Sequence, residues 1–180
     1  MLAYVFWHWP AANQDVPAYE AAEREFLTAL RQAAPSGFVD CTTFRVGGEA
    51  PWLGGAPAYA DWYLVQDSAA LDPLNVAAVS GVCEEPHFRL TRAMGAGAGS
   101  LLQLRAGEPD LTSARCVTWL VKPREMPYSD LHAGLSSLPG SLWRRQMVLG
   151  PTPEFALLGS AATQVDAALS PRALTLMPLA

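Results

Sequence analysis

The sequence predicts an α+β protein made of two successive βαββαβ units, the second more compact than the first. Three observations lead there. Short runs rich in aromatic and β-branched residues alternate with amphipathic stretches of helical period. Four local similarities between the early and late parts of the chain occur in the same order. The offset between matched segments also shrinks at each step, as it does when a second copy has shorter connections.

The matches are individually short. "YVFWHW" at 4–9 resembles "CVTWLV" at 116–121, with Val5 and Trp7 matching Val117 and Trp119 at an offset of 112. "PSGF" at 35–38 resembles "PGSL" at 139–142, an offset of 104. "WYLV" at 62–65 resembles "FALL" at 155–158, an offset of 93, and "LQL" at 102–104 resembles "LTL" at 174–176, an offset of 72.

Taken in order, residues 3–9 alternate and read as a strand. Residues 17–33 read as a helix: Pro17 suits its first turn, Glu20 and Glu23 favour its N-terminal half, and Tyr19, Ala22, Phe26, Leu30 and Ala33 recur at helical spacing. "PSG" stops it. Strands follow at 38–46 and 58–66, then a helical region over 68–94 broken near Gly81 to Pro86, then a strand at 100–105. The second unit runs strand 115–121, helix 128–138, strands 142–149 and 154–159, helix 161–169 and strand 173–178. Each unit has the element order of the ferredoxin-like motif. The first spans 1–107 and the second 113–180, joined through "AGEPDLTSA" at 106–114.

Composition sets bounds on function. The 180 residues are 51% hydrophobic and 16% charged, which describes a packed chain and not a disordered one. Net charge is −5, and the 12 Lys and Arg are scattered, with Lys122 the only lysine. No basic face for nucleic acid is expected, and no RNA-binding aromatic motif is present. The cysteines Cys41, Cys83 and Cys116 form no CxxC pair, so neither disulfide framework nor structural zinc is expected, and a reducing cytoplasm fits. Cys41 and Cys116 read as small core residues, Cys83 as exposed in a break. The N-terminus lacks a basic signal-peptide region, and no apolar run approaches the ~20 residues that cross a bilayer. No membrane partner is expected. Duplication within one chain can replace a homodimer, so a monomer is the first expectation and a homodimer through an exposed sheet edge the second.

Alternation assigns faces. Val5, Trp7 and Trp9 share one face of the first strand, matched by Val117, Trp119 and Val121. A face large and apolar in both copies is read as the one packed on its own helices, with Trp62, Phe155, the Leu102–Leu104 pair, Trp143 and Leu174–Leu176 on the same side. The opposite face collects His8, Asp61, Tyr63, Gln103, Arg105, Thr118, Arg144 and Gln146, and is expected to point between two packed sheets. Those residues either satisfy one another in a mixed polar core or line the polar end of a ligand cavity.

Of the three histidines, His87 starts an amphipathic piece with Leu90, Thr91 and Met94 on one side. It is a candidate general base, a candidate haem ligand, or simply a residue at a pocket mouth. His132 reads as exposed. No HxH or HxxxH spacing exists, so no metal site is expected, and no cofactor is expected, with haem as the alternative. The serines lie in no GxSxG elbow. "GAGAG" at 95–99 follows a helix and precedes a strand, the reverse of a phosphate loop, and reads as a helix stop and tight turn. The loop "GGEAPWLGGAP" at 47–57 is long for a hairpin, and its Trp52 reads as a pocket lid, a partner contact or surface packing.

The element order, with "ADWYLVQDSAALDPLN" and "PHFRLTRAMGAGAGSLLQL", resembles uncharacterised bacterial proteins of the dimeric α/β-barrel superfamily, near the EthD-like and antibiotic-biosynthesis-monooxygenase-like groups, with both halves in one chain. The resemblance covers both halves and contains no diagnostic catalytic motif. It implies a single-chain barrel binding a small molecule, with a cofactor-independent monooxygenase-type reaction on a small aromatic substrate. His87 or His8 would then be the base, Arg105 or Arg144 would hold the substrate anion, and Tyr63, Asp61, Gln103 and Trp52 would line the pocket. The alternative is a non-catalytic ligand sensor or protein-interaction module with a filled interior.

Overall fold

The computed structural model describes residues 1–179. Its strands are β1 (Leu2–Pro10), β2 (Phe38–Gly47), β3 (Ala58–Val65), β4 (Met94–Ala106), β5 (Cys116–Leu120), β6 (Ser141–Arg145), β7 (Phe155–Gly159) and β8 (Arg172–Pro178). Its helices are α1 (Val16–Ala33), α2 (Leu71–Ala78), α3 (Glu84–Ala93) and α4 (Tyr128–Leu135). The strands close an antiparallel barrel in the order β1-β3-β2-β8-β5-β7-β6-β4. The first four strands run β4-β1-β3-β2 and the last four β8-β5-β7-β6, joined by the pairs β2–β8 and β4–β6. Closure leaves no unpaired edge, which removes the exposed edge on which a homodimer was expected to pair.

α1 forms where the sequence places it. The Asp15 carboxylate accepts from Ala18 N–H at 3.0 Å and caps the first turn, and Pro17 occupies a position whose N–H needs no partner. Tyr19, Glu23, Phe26, Leu27 and Leu30 form its buried stripe. α2 and α3 complete a three-helix layer over the outside of β1 and β3. Arg89 of α3 pairs with Glu25 of α1 across its surface.

The barrel interior is filled with indoles. Val5, Trp7, Trp52, Trp62, Leu102, Trp119, Trp143 and Leu174 belong to one buried cluster drawn from both halves. Trp7 and Trp119 meet edge to face at 5.6 Å, and Trp62 meets Trp143 at 5.7 Å. The apolar face therefore points into the barrel, not at the helices. The polar face with His8, Asp61 and Tyr63 turns outward under α1–α3, within or beside the helix-facing cluster of Tyr19, Phe26, Leu30 and Leu90. The side-chain alternation is as read along each strand except one; its direction is reversed. The exception is β7. Trp7 pairs with Ala60 and Trp119 with Ala156, partners 96 positions apart, whereas the sequence alignment of 62–65 with 155–158 sets them 93 apart. An odd slip exchanges faces: Trp62 points inward, whereas Phe155 packs outward beside α4.

Other differences have local causes. "GAGAG" is not a turn but the start of β4, which runs on from α3. A Cβ on Gly97 would stand 2.4 Å from the Phe6 ring and one on Gly99 2.8 Å from Tyr4, so these glycines give the two rings room. The helix expected over 161–169 is only a 3₁₀ turn at Ala167–Leu169, because Val165 and Leu169 alone cannot anchor a longer one. β6 stops at Arg145, where a turn with Met147 at φ 50° and Gly150 at φ 129° reverses the chain. Cys83 is buried, not exposed, and all three cysteines are free thiols. Among the described residues no helix is long and apolar enough to cross a membrane.

Candidate functional site

Adjacent strands bring the polar side chains together. On the outer face Phe6, Asp61 and Thr43 lie in one cross-strand row, and Tyr4, Tyr63 and Cys41 in the next. His8 sits diagonally from Asp61, and its ring stacks over Phe6 and Tyr59 with centroids 5.6 and 5.4 Å away. α1 then lowers Tyr19 and Glu23, one turn apart, onto this row.

The result is a fully buried network. His8 Nδ1 lies 2.5 Å from the Tyr19 hydroxyl and His8 Nε2 2.9 Å from Asp61 Oδ1. Tyr63 donates its hydroxyl to Asp61 Oδ2 at 2.8 Å. Thr43 Oγ1 lies 2.7 Å from Asp61 Oδ1 and 2.8 Å from Glu23 Oε1. A hydroxyl carries one hydrogen, so Thr43 donates to one carboxyl and accepts from the other. Burial and the nearby Asp61 charge push Glu23 up to about 8, which makes Glu23 the protonated partner at neutral pH. The proton order is Glu23 to Thr43 to Asp61. For His8, burial opposes the charged form, but the Asp61 charge and hydrogen bond, with Glu23 behind them, outweigh it and raise the imidazole above its ordinary value. Burial first, then Asp61, raises the Tyr63 phenol well above its usual range.

Asp61 and Tyr63 form part of the floor of a cavity of 380 Å³ between β1, β3 and the helices. That volume lies within the range of roughly 300–1,000 Å³ common for small-molecule sites. Its walls are mainly apolar: Tyr4, Phe6, Phe26, Leu30, Leu74 and Leu90 among them. Asn75 of α2 lies on the cavity wall, and His87 of α3 also contributes to it, its ring 5.5 Å from that of Phe26. Burial pushes His87 below its ordinary value, so at neutral pH it is an uncharged imidazole able to take a proton.

The sequence-derived candidates divide. His8, Asp61, Tyr63 and His87 come together here. His8 is sealed behind Asp61 with both ring nitrogens engaged, so it backs the cavity and does not line it. Gln103, Arg105, Arg144 and Trp52 lie elsewhere. Arg105 is exposed and donates to Gln103 at 3.0 Å. Arg144 donates to Glu154 at 2.8 Å and lies over the Tyr128 ring at 4.4 Å. Trp52 inserts among the barrel indoles, 5.5 Å from Trp119. Gln103 pairs with Leu2 on one side and with Arg144 on the other, at the end of β1 remote from His8, so the Gln103–Arg105–Arg144 group sits on the outer face at the β4–β6 seam, away from the cavity. Tyr19, Glu23 and Thr43 were not anticipated. Glu23 left a readable signal, an acid within the apolar stripe of α1. Thr43 left none, since its role depends on β2–β3 register.

No family model and no curated relative matches the chain. Solved structures do. A candidate monooxygenase from Lactobacillus acidophilus NCFM aligns with 99% of this chain and 94% of its own, at 10% identity and a TM-score of 0.55. An anthrone oxidase-like protein aligns with 98% of this chain and 90% of its own, also at 10% identity and 0.55. At such identities the likeness concerns backbone architecture: the chain has an α+β barrel fold related to that of these two proteins.

Proposed function

We propose that this protein binds a small aromatic molecule in the cavity under α1–α3 and oxidises it with molecular oxygen, using His87 as base and no cofactor. The observation that carries the reading is the uncharged imidazole of His87 in the wall of an aromatic-lined cavity. The substrate class is phenol-like or anthrone-like, with an acidic O–H or ring C–H. His87 takes that proton, and the electron-rich anion reacts with oxygen. For a ring CH₂ the balance is one oxygen atom retained as a carbonyl and the other leaving as water with the two hydrogens. The Asn75 amide and the imidazolium formed at His87 are among the groups available to the anion. Asp61 is kept from repelling it by its three hydrogen bonds from His8, Thr43 and Tyr63. Arg105 and Arg144 take no part.

The reading of the chain as two ferredoxin-like units, 1–107 and 113–180, belongs to the same proposal. It is supported by the equivalent strand orders of the two halves and by Trp7 meeting its counterpart Trp119. In it, only the first unit keeps a helical layer deep enough to enclose a cavity.

The test is oxygen uptake with a panel of phenols and anthrones, alongside binding measured by calorimetry. Turnover lost in His87→Gln with binding retained supports the assignment. Binding without oxygen consumption by the wild-type protein supports the alternative, a ligand sensor of the same fold. The colour of freshly purified protein reports haem directly.

A further inference from the structure

Of the buried polar atoms without a partner, one belongs to the His8–Asp61 network and has no purpose in the proposed oxidation. Glu23 Oε2 is shielded from solvent and has no hydrogen-bond partner among the described residues. The carboxyl lies wholly inside the protein, and only its other oxygen is bonded, to Thr43. A glutamine would make that same contact, so the hydrogen bond alone does not call for an acid here. The free oxygen faces His8 Nε2 at 3.8 Å.

We propose that His8, Glu23 and Asp61 form a binding site for a divalent first-row transition cation, of the class Mn²⁺, Fe²⁺ or Zn²⁺. One ligand atom from each residue lies within 4.8 Å of the others. A cation bonding nitrogen and oxygen at about 2.0–2.2 Å needs ligand pairs no farther apart than about 4.4 Å. The His8–Asp61 pair at 2.9 Å and the His8–Glu23 pair at 3.8 Å already satisfy this, and the widest separation closes with a shift of a few tenths of an ångström at most. Two carboxylates and a neutral imidazole around a dication carry no net charge, which suits a site sealed from water. An imidazole among so few oxygens disfavours Ca²⁺ and Mg²⁺, which seek six or more oxygen ligands or several retained waters.

The surroundings match what a metal site needs. The Tyr19 hydroxyl holds His8 Nδ1 and so orients Nε2 toward the two carboxyls. Thr43 holds one oxygen of each carboxyl. Asp61 also lines the cavity, so one of the three ligating residues borders the space through which an ion would approach. His87 lines the cavity but is not among the three ligating residues, so this site is separate from the proposed base.

Chelator-treated full-length protein titrated calorimetrically with Zn²⁺ or Mn²⁺ alone tests the site. One equivalent should bind, with affinity weakened at least ~100-fold in Glu23→Gln and unchanged in His87→Gln. Glu23→Gln preserves shape and the Thr43 contact, and circular dichroism verifies its fold. Independently, in the wild-type protein labelled with ¹⁵N-histidine, Zn²⁺ should move the ring signals of His8 and leave those of His87 and His132 in place. Absence of saturable single-site binding, binding retained in Glu23→Gln, or a shift confined to His87 or His132 overturns the proposal.

Discussion

Trp7 and Trp119 stand 112 positions apart in the chain and meet edge to face inside the barrel, ring centroids 5.6 Å apart. Each is almost wholly buried, and Trp52 closes over both at 6.5 and 5.5 Å. The contact ties the two halves through side chains, as the β2–β8 and β4–β6 pairs do through the backbone.

Removing either indole leaves a large void in a barrel that cannot collapse. Trp7→Ala and Trp119→Ala should each lower stability by about 3–5 kcal/mol in urea unfolding. A double-mutant cycle between them should return a coupling of about 0.5–1.5 kcal/mol. Trp52→Ala should also destabilise, while ligand affinity in the helix-side cavity stays unchanged. A change in affinity without loss of stability would restore Trp52 as a pocket lid.

His87 sets the pH dependence expected of the oxidation. Its pKa lies below the ordinary 6.5 because burial disfavours the imidazolium, and the base form is the uncharged one. The rate should therefore fall as pH drops through that lowered value and be flat from about pH 7 upward. His87→Gln should reduce it by roughly 10²–10⁴ and remove that limb of the profile. Arg105→Ala and Arg144→Ala should leave it unchanged, because neither side chain lines the cavity.

Glu23 makes the metal-free protein less stable as pH rises. Its folded-state pKa of about 8 lies above its ordinary 4.5, so the folded state holds a proton that the unfolded state releases between those values. Stability from this group is complete below about pH 4.5, declines from there to about pH 8, and is level above. At about 1.4 kcal/mol per unit the change amounts to several kcal/mol. Glu23→Gln should flatten that decline. Thermal unfolding of chelator-treated protein across this range measures it.

The glycines of β4 are an accommodation for two rings. Gly97→Val would drive a side chain into Phe6, whose ring borders the cavity. A Cβ at Gly97 also stands 2.8 Å from the Trp7 carbonyl oxygen, so the expected result is weaker ligand binding, seen as a raised dissociation constant, together with a lowered unfolding midpoint. The same substitution at Gly134 meets nothing within 4 Å and serves as control.

The amino-acid pattern by itself determined the order of the eight strands, the amphipathic stripe of α1 and the membership of nearly every strand face, because these follow from periodicities of 2 and 3.6 residues; it overstated the helix at 161–169 and misread the start of β4 as a turn. It placed Trp7 with Trp62 and Trp143, and His8 with Asp61 and Tyr63, before any packing was known. Only the tertiary structure decided which of those faces lies inside. Both are buried in the first half, one against the opposite strands and one under helices, so alternation marks two sides without saying which is interior. The same holds for the site. Asp61 and His8 were legible as outliers on strands and Glu23 as an acid in the apolar stripe of α1, whereas Thr43 and the separation of Arg105 and Arg144 from them depend on register and on closure of the barrel. Those are set by how indole volumes fill the interior, a property of the whole assembly of strands.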